Sequence, residues 1–127
     1  MSSISLSLAI ASNHPIKLAE FYAFATNGQL ELGENKYHCK VILRDGLMIH
    51  LYKPSRNEPI PNKGRAMSLC LQQEASIQPL ITIKEWVGLL ASGGAELAKE
   101  PTLETFGAEA WMTDPEGNDF LICVPII

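Results

Sequence analysis

The hydrophobic and polar positions of this chain run through the same series of patterns twice. Residues 4–11 alternate large apolar side chains with serine and alanine, which is the period of two expected of a half-buried strand. Residues 13–15 (Asn-His-Pro) provide a predicted N-cap with proline at the start of a helix. Apolar residues from Leu18 to Ala25 then recur at helical spacing, and Asn27 and Gly28 end the predicted helix.

Three short β-forming segments follow this helix, at residues 30–32, 37–44 and 47–52. Asp45-Gly46 separates the last two segments, and Asp-Gly between alternating runs is a strong hairpin signal. The first half of the chain therefore predicts the order βαβββ.

The second half repeats this order after a segment rich in proline, asparagine and charge. Alternation resumes at residues 67–72, Thr82 and Glu85 fit a capping box with Pro79 just before the helix, and residues 92–94 end that helix. The remaining segments predicted as strands are residues 95–99, 107–113 and 119–124. We therefore predict a single domain over residues 1–127, with one module at 4–53, a linker at 54–65 and a second module at 66–125.

Composition narrows the functional classes. A chain of 127 residues that is 46% hydrophobic can bury one core, and its 10 basic and 14 acidic residues give a net charge of -4 without a basic cluster, which argues against nucleic acid as a partner. No segment approaches the roughly 20 apolar residues of a membrane span, and the N-terminus lacks the pattern of a signal peptide. We expect no membrane partner and a cytoplasmic location.

The chain has three cysteines, Cys39, Cys70 and Cys123. Because they are odd in number and widely spaced, they are predicted to be reduced, buried thiols.

A turn near the C-terminus leads to a family resemblance. In "DPEGNDF", residues 114–120, Pro115 suits the first central position of a type I turn and Gly117 suits a left-handed backbone. Together with "HPIKLAEFY" at residues 14–22, "GA" after the second helix and the duplicated layout, this motif resembles the glyoxalase/bleomycin-resistance/extradiol-dioxygenase group, the vicinal oxygen chelate superfamily. The resemblance implies an α+β fold in which two tandem βαβββ modules form a curved mixed sheet around a cavity.

The resemblance also implies where metal ligands would stand. In metal-dependent relatives the first and last strands of each module supply His, Glu or Gln. The matching positions here are Ser7, Ser68 (or Met67 in the alternative register), His50 and Leu121, so only His50 could ligate. Labile divalent ions usually take at least three protein ligands. The resemblance therefore implies a metal-free member with no cofactor, and a divalent metal held through other residues, such as Asp119 or Glu109, stays open as an alternative.

Strand alternation predicts which side chains line the cavity. The candidate ligand-binding residues are Ser7, His50, Tyr52, Ser68, Cys70, Trp111, Asp119 and Leu121. His50 is the candidate catalytic residue, as a general acid/base or hydrogen-bond donor, if Ser7, Ser68 or Asp119 orients it. A purely structural role for His50 is the alternative. His14 and His38 receive less weight, and Trp86 is assigned to the core because of its helical spacing.

Three functions remain open from the sequence. The first is a metal-free protein that binds a small organic molecule in the cavity between the modules. The second is a metal-dependent lyase, isomerase or dioxygenase of the same superfamily. The third is a structural or interaction protein whose cavity is filled by side chains. Exposed strand edges favour a homodimer in each case.

Overall fold

A computed structural model describes residues 3–55 and 60–127 of the chain. Part of the predicted linker, residues 56–59, lies outside the described ranges. The elements come in the predicted order, and their bounds are β1 Ser7–Ala11, α1 Pro15–Thr26, β2 Gln29–Leu32, β3 His38–Ile42, β4 Met48–Tyr52, β5 Cys70–Gln72, α2 Pro79–Ser92, β6 Glu96–Glu104, β7 Gly107–Thr113 and β8 Asp119–Pro125. This α+β arrangement of two βαβββ modules confirms the predicted fold class.

The chain separates into two compact units, Met1–Asn62 and Lys63–Ile127, and each unit holds one mixed four-stranded sheet and one helix. The strand orders are β1-β4-β3-β2 and β5-β8-β7-β6. In both sheets the first and last strands of the module pair in parallel, while the remaining neighbours pair antiparallel. Both units therefore build the same topology from different sequences.

In the first unit, α1 packs on one face of its sheet. Alternate residues of β3 and β4 point toward the helix, which is the period of two expected of a half-buried sheet. The buried apolar side chains of this core are Leu18, Ala19, Phe21, Tyr22, Cys39, Val41, Ile49 and Leu51. The opposite face of the same sheet carries the intervening residues and is mostly polar.

The second unit repeats this division around α2, which packs on β6, β7 and β8. Its buried apolar side chains are Ile83, Trp86, Leu90, Ala95, Ala108, Ala110, Met112, Phe120, Ile122 and Val124. Trp86 is 7% exposed, which confirms its assignment to the core. The outermost strand β6 pairs irregularly with β7, because the register shifts between Leu97 and Lys99 and again between Lys99 and Thr102.

Both helices begin with the same local device, a serine three residues before a proline. The hydroxyl of Ser12 accepts a hydrogen bond from the backbone N–H of His14 at 3.0 Å, and Ser76 does the same for Gln78 at 3.1 Å. The proline that follows takes the first helical position in each case. The N-cap residues are therefore His14 and Gln78, and His14 lies within the predicted Asn-His-Pro cap.

The capping box predicted at Thr82 and Glu85 is wrong. Helix α2 starts at Pro79, so Thr82 already lies in its first turn, and the Thr82 hydroxyl is 2.9 Å from that of Ser76. Proline fixes the backbone angle that a helix start needs and has no N–H to leave unpaired. Pro79 therefore starts α2 three residues before Thr82, where the capping-box pattern had predicted the N-cap.

The first strand of each module is shorter than its alternation pattern predicts. Strand β1 begins at Ser7, opposite the first residue of β4, so Ile4 and Leu6 have no strand to pair with and are 97% and 78% exposed. Strand β5 begins at Cys70, and Met67 before it is 85% exposed. A strand extends only where a partner supplies hydrogen bonds, and β1 begins opposite Met48, the first residue of its partner β4. The start of β5 is not set in this way, because β8 begins at Asp119, two residues before the partner of Cys70.

The turn between β7 and β8 is organised by the carboxylate of Asp114, which is only 3% exposed. It accepts hydrogen bonds from the backbone N–H groups of Glu116 and Asn118 at 2.9 and 3.0 Å and from the Asn118 side-chain amide at 2.8 Å. Gly117 has φ +84°, the left-handed conformation predicted for it. The other predicted hairpin also forms, with the exposed Asp45 carboxylate accepting one bond from the N–H of Leu47.

Removing the Asp114 carboxylate should destabilise the second unit. Asp114→Ala leaves three donors of a partly buried turn without their acceptor, so we expect a loss of about 1 to 3 kcal/mol in the free energy of unfolding, measured by urea denaturation. Asp45→Ala is the matched control, because it removes one exposed acceptor and should cost less than about 1 kcal/mol. Equal losses in the two variants would contradict a special role for the Asp114 network.

Candidate functional site

The face of the first sheet that points away from α1 carries several of the predicted site residues, and we call it the first polar face. Strand pairing puts Ser7 beside Met48, Ala9 beside His50 and Ala11 beside Tyr52. Pairing of β3 with β4 adds three more residues, and pairing of β2 with β3 adds two. These additional members are His38, Lys40, Ile42, Gln29 and Glu31.

Two histidines meet on this face. Nε2 of His38 lies 3.3 Å from Nδ1 of His50, and the two rings stack with centroids 5.4 Å apart and planes 21° apart. The residues are diagonal neighbours on adjacent antiparallel strands, because His50 is directly opposite Lys40 and His38 is directly opposite Tyr52. His38 thus supplies His50 with the hydrogen-bonding partner that the sequence analysis assigned to a serine or an aspartate.

The contact between the imidazoles limits which hydrogen-bonding roles the two rings can take, although either ring can be the donor. One ring must donate its N–H and the other must accept through a bare nitrogen, so the contact requires at least one neutral imidazole. When both rings carry a proton on each nitrogen, the two facing N–H groups repel.

The surroundings of the histidine pair combine charge with apolar surface. Lys40 lies across from His50, and its Nζ is 3.6 Å from a carboxylate oxygen of Glu31 on β2. This ion pair is partly exposed and contributes little to stability. Met48 and Ile42 form an apolar patch beside it. A ligand on this face would meet imidazole, phenol and ammonium groups next to hydrocarbon.

The second sheet has a corresponding face, which we call the second polar face. Strand β8 presents Asp119, Leu121 and Cys123 there, with Cys70 of β5 on one side of Leu121 and Trp111 of β7 on the other. A leucine thus occupies the middle of this face, at the position where the sequence resemblance implies a metal-ligating carboxylate. Its side chain is apolar and cannot donate electrons to an ion.

An arginine orders one end of the second polar face. Nε of Arg65 is 3.1 Å from a carboxylate oxygen of Asp119, and its guanidinium lies 4.3 Å from the ring centroid of Trp111. A guanidinium that stacks on indole while it pairs with a carboxylate holds both groups in position. Trp111 is therefore covered on one side by Arg65, and Asp119 already has a cationic partner.

The three cysteines differ in their exposure. Cys39 is buried in the core of the first unit, Cys123 is half-buried and Cys70 is exposed. The prediction that all three are buried is wrong for Cys70, because this residue sits on the outward face of an edge strand. Burial raises the pKa of the Cys39 thiol. Desolvation by partial burial, with a smaller effect of the Glu109 carboxylate, raises the pKa of Cys70. Desolvation, the Cys70 thiol and Glu109 together raise the pKa of Cys123.

The structure places the predicted site residues in two groups. Ser7, His50 and Tyr52 lie on the first polar face, while Cys70, Trp111, Asp119 and Leu121 lie on the second. Ser68 falls outside both, because it is an exposed residue of the segment that precedes β5. Sequence analysis missed His38 and Arg65 as site residues.

The contact between His38 and His50 depends on the loop length of the first hairpin. Counting outward from a two-residue turn at Asp45-Gly46 would pair Val41 with His50. The loop has one residue more, because the N–H of Leu43 donates to the carbonyl of Leu47, so Lys40 pairs with His50 and His38 lies one diagonal step away. No comparable count reaches Arg65, because it lies in an irregular segment far along the chain from Asp119 and Trp111.

Within residues 3–55 and 60–127, no group of three or more His, Cys, Asp or Glu side chains is arranged to hold a metal ion. Neither α1 nor α2 has the length and apolar character required to cross a bilayer.

The effect of Glu109 on the thiols can be measured by alkylation with iodoacetamide followed by peptide mass spectrometry. We expect Cys70 to react faster than the buried Cys39, and both Cys70 and Cys123 to react slowly at neutral pH and faster as the pH approaches their raised pKa. Glu109→Gln removes a negative charge that disfavours thiolate, so the rates at Cys70 and Cys123 should rise about two- to fivefold. Glu85→Gln on the exposed surface of α2 is the control, and an equal rise there would refute the assignment.

Comparison with known proteins supports the fold. No family model and no curated protein sequence matches the chain. Among solved structures, the chain is similar to a hypothetical protein of S. aureus (14% identity, 98% of this chain and 95% of that one, TM-score 0.76) and to a glyoxalase/bleomycin resistance protein/dioxygenase family enzyme of Burkholderia phytofirmans (14%, 94% and 97%, 0.75).

A third similar structure is a mutant of the fosfomycin resistance protein FosX of Listeria monocytogenes in complex with Mn(II) and a dihydroxypropylphosphonic acid (15% identity, 100% of this chain and 94% of that one, TM-score 0.69). These similarities extend over almost the whole chain. The chain therefore has the fold of the glyoxalase/bleomycin-resistance proteins, which confirms at the level of the fold the resemblance predicted from the sequence.

Proposed function

We propose that this protein binds a small organic molecule on the first polar face, without a metal ion, using the His38–His50 pair as its principal polar contact. The contact between Nε2 of His38 and Nδ1 of His50 at 3.3 Å carries this proposal. It leaves the outer nitrogen of each ring available to a ligand. It also holds the rings stacked, so that a ligand meets a preformed polar surface.

The neighbouring side chains favour a ligand of mixed character. The hydroxyls of Ser7 and Tyr52 and the ammonium of Lys40 can hydrogen-bond to acceptor atoms, while Met48 and Ile42 offer apolar contact. Binding sites for small molecules typically combine an apolar wall with a few placed polar groups. The class of ligand that fits is a small molecule with a carbonyl, carboxylate or phenolate oxygen next to a hydrocarbon part.

The metal-free part of the proposal rests on residue identity. Leu121 has no ligating atom, Ser7 is a poor ligand for a labile divalent ion, and one nitrogen of His50 is engaged by His38. Asp119, one of the alternative ligands, is paired with Arg65. A metal at Asp119 would have to displace the contact with Arg65, and the single outer nitrogen of His50 falls short of the three protein ligands that a labile divalent ion usually takes.

A second candidate function is acid–base catalysis on the same face, and the histidine pair specifically favours it. A catalytic base needs an orienting partner at hydrogen-bond distance, and His38 stands at that distance from His50. In this reading His50 exchanges a proton with the bound molecule and His38 positions it. The lyase and isomerase activities considered from the sequence both require such proton transfer.

The test is a ligand-observed NMR screen of small carboxylates, phenols and ketones, run with and without EDTA. Hits should bind equally in both conditions. They should bind about tenfold more weakly to His38→Gln and His50→Gln, the effect expected for the loss of one good hydrogen bond. His14→Gln is the control, because His14 caps α1 and lies off the first polar face.

Each part of the proposal fails on a different result. Hits that require added Mn²⁺, Ni²⁺, Zn²⁺ or Fe²⁺ and vanish with EDTA would overturn metal-free binding. Hits that weaken as much with His14→Gln as with His50→Gln would place the ligand elsewhere. Turnover of a hit that is lost in His50→Gln and follows a bell-shaped pH profile would favour the enzyme over the binding protein.

A further inference from the structure

We propose a second ligand site in the first unit, an anion site that accepts a small phosphate monoester with an aromatic or similarly flat organic group. It is an open cavity of about 240 Å³ at the start of α1, away from the first polar face. Its lining combines residues of three separate segments: Asn13, His14, Pro15, Ile16, Lys17, Lys36, Tyr37 and Lys53. Three of these residues are lysines, and none is acidic.

The positive charge of this cavity is local and stands out against the rest of the chain. The whole sequence carries a net charge of -4, whereas the residues that line this cavity include three lysines and no acidic residue. The two ion pairs found within the described part of the chain involve Lys40 and Arg65, and neither uses a cavity lysine. Like charges placed together without a carboxylate repel each other, and a bound anion would relieve that repulsion.

Tyr37 is the structural centre of the cavity. The ammonium of Lys36 lies 5.5 Å from the centroid of its ring and that of Lys53 lies 6.0 Å from it. The backbone N–H of Lys53 donates to the carbonyl of Tyr37 at 2.9 Å, and the N–H of Tyr37 donates to the Asn35 side chain at 2.8 Å. These bonds fix the segment before β3 against the end of β4, so that the two ammonium groups are held around one ring.

The first turn of α1 faces the same cavity through Ile16 and Lys17. This turn contains no acidic residue, and no side chain caps it by hydrogen bonding. The positive end of the helix dipole therefore adds to the field of the lysines, although the lysine cluster and the cavity carry the inference. The hydroxyl of Ser12 already accepts the N–H of His14, which keeps the helix start in place beside the cavity.

The size and chemistry of the cavity limit the ligand. A volume of about 240 Å³ is several times the roughly 30 Å³ that one water occupies in the liquid, but it is below the roughly 300 to 1,000 Å³ typical of sites for drug-sized molecules. A phosphate group can take hydrogen bonds from several ammonium groups at once. Tyr37 is 50% exposed as a residue, and its ring offers a flat surface to the organic part of the ester.

The experiment is a titration of the ¹⁵N-labelled full chain with inorganic phosphate and, separately, with phenyl phosphate, followed by two-dimensional ¹H–¹⁵N NMR. We expect saturable shifts at the amides of the lining residues with both probes and tighter binding of phenyl phosphate. The double variant Lys36→Gln/Lys53→Gln should weaken both probes at least about tenfold. Tyr37→Leu should reduce the affinity for phenyl phosphate to that for inorganic phosphate.

The control double variant is Lys84→Gln/Lys99→Gln, which removes the same charge from the second unit. Its affinities should match those of the wild type, and the NMR spectra of all variants report whether they are folded. The proposal is overturned if neither probe gives saturable shifts in the wild type. It is also overturned if the control weakens binding as much as Lys36→Gln/Lys53→Gln, or if phenyl phosphate binds no better than phosphate.

Discussion

The arrangement of each unit depends on the parallel pairing of the module's first and last strands. Ser7 opposite Met48 in one sheet and Cys70 opposite Leu121 in the other set the register from which every outward-facing side chain follows. A slip of one residue would turn His50 toward α1 and bring a core residue to the surface. Parallel strands cannot be joined by a tight turn. The helix and two strands that lie between them in the chain provide the long connection that this pairing needs.

The two modules share a backbone and differ in chemistry. The first polar face is rich in groups that exchange protons or carry positive charge, whereas the second presents thiols, an indole and a leucine. The shared features are those that start the helices, since Ser12 and Ser76 act in the same way before a proline. Local rules of backbone geometry thus repeat along the chain, while the outward-facing residues of the two sheets differ in type.

Much of the fold could be predicted from the sequence because alternation, helical spacing and turn residues act locally. The hairpin at Asp45-Gly46 and the turn at residues 114–118 form where their residues indicate. The length of β1 could not be predicted in this way, since the exposure of Ile4 is decided by where a distant partner strand, β4, ends. A residue's own neighbours in the sequence carry no information about that end.

The candidate sites were only partly predictable for the same reason. His50 could be singled out because strand parity and the resemblance both point to it. Its contact with His38 depends on the diagonal geometry between two strands, and the stacking of Arg65 on Trp111 joins residues far apart in the chain. Residue type and spacing identify candidate residues, but they do not show which of these residues meet in space.

The uneven pairing of β6 has a consequence for how copies of the protein behave at high concentration. An outer strand of nine residues would ordinarily offer a straight row of unpaired backbone groups, onto which a strand of another molecule could add. Here the register shifts twice, Pro101 has no N–H to offer, and Glu96, Lys99, Glu100 and Glu104 place charge along the same strand. Such an edge is a poor template for intermolecular sheets, so we expect β6 to resist the addition of a strand from another molecule.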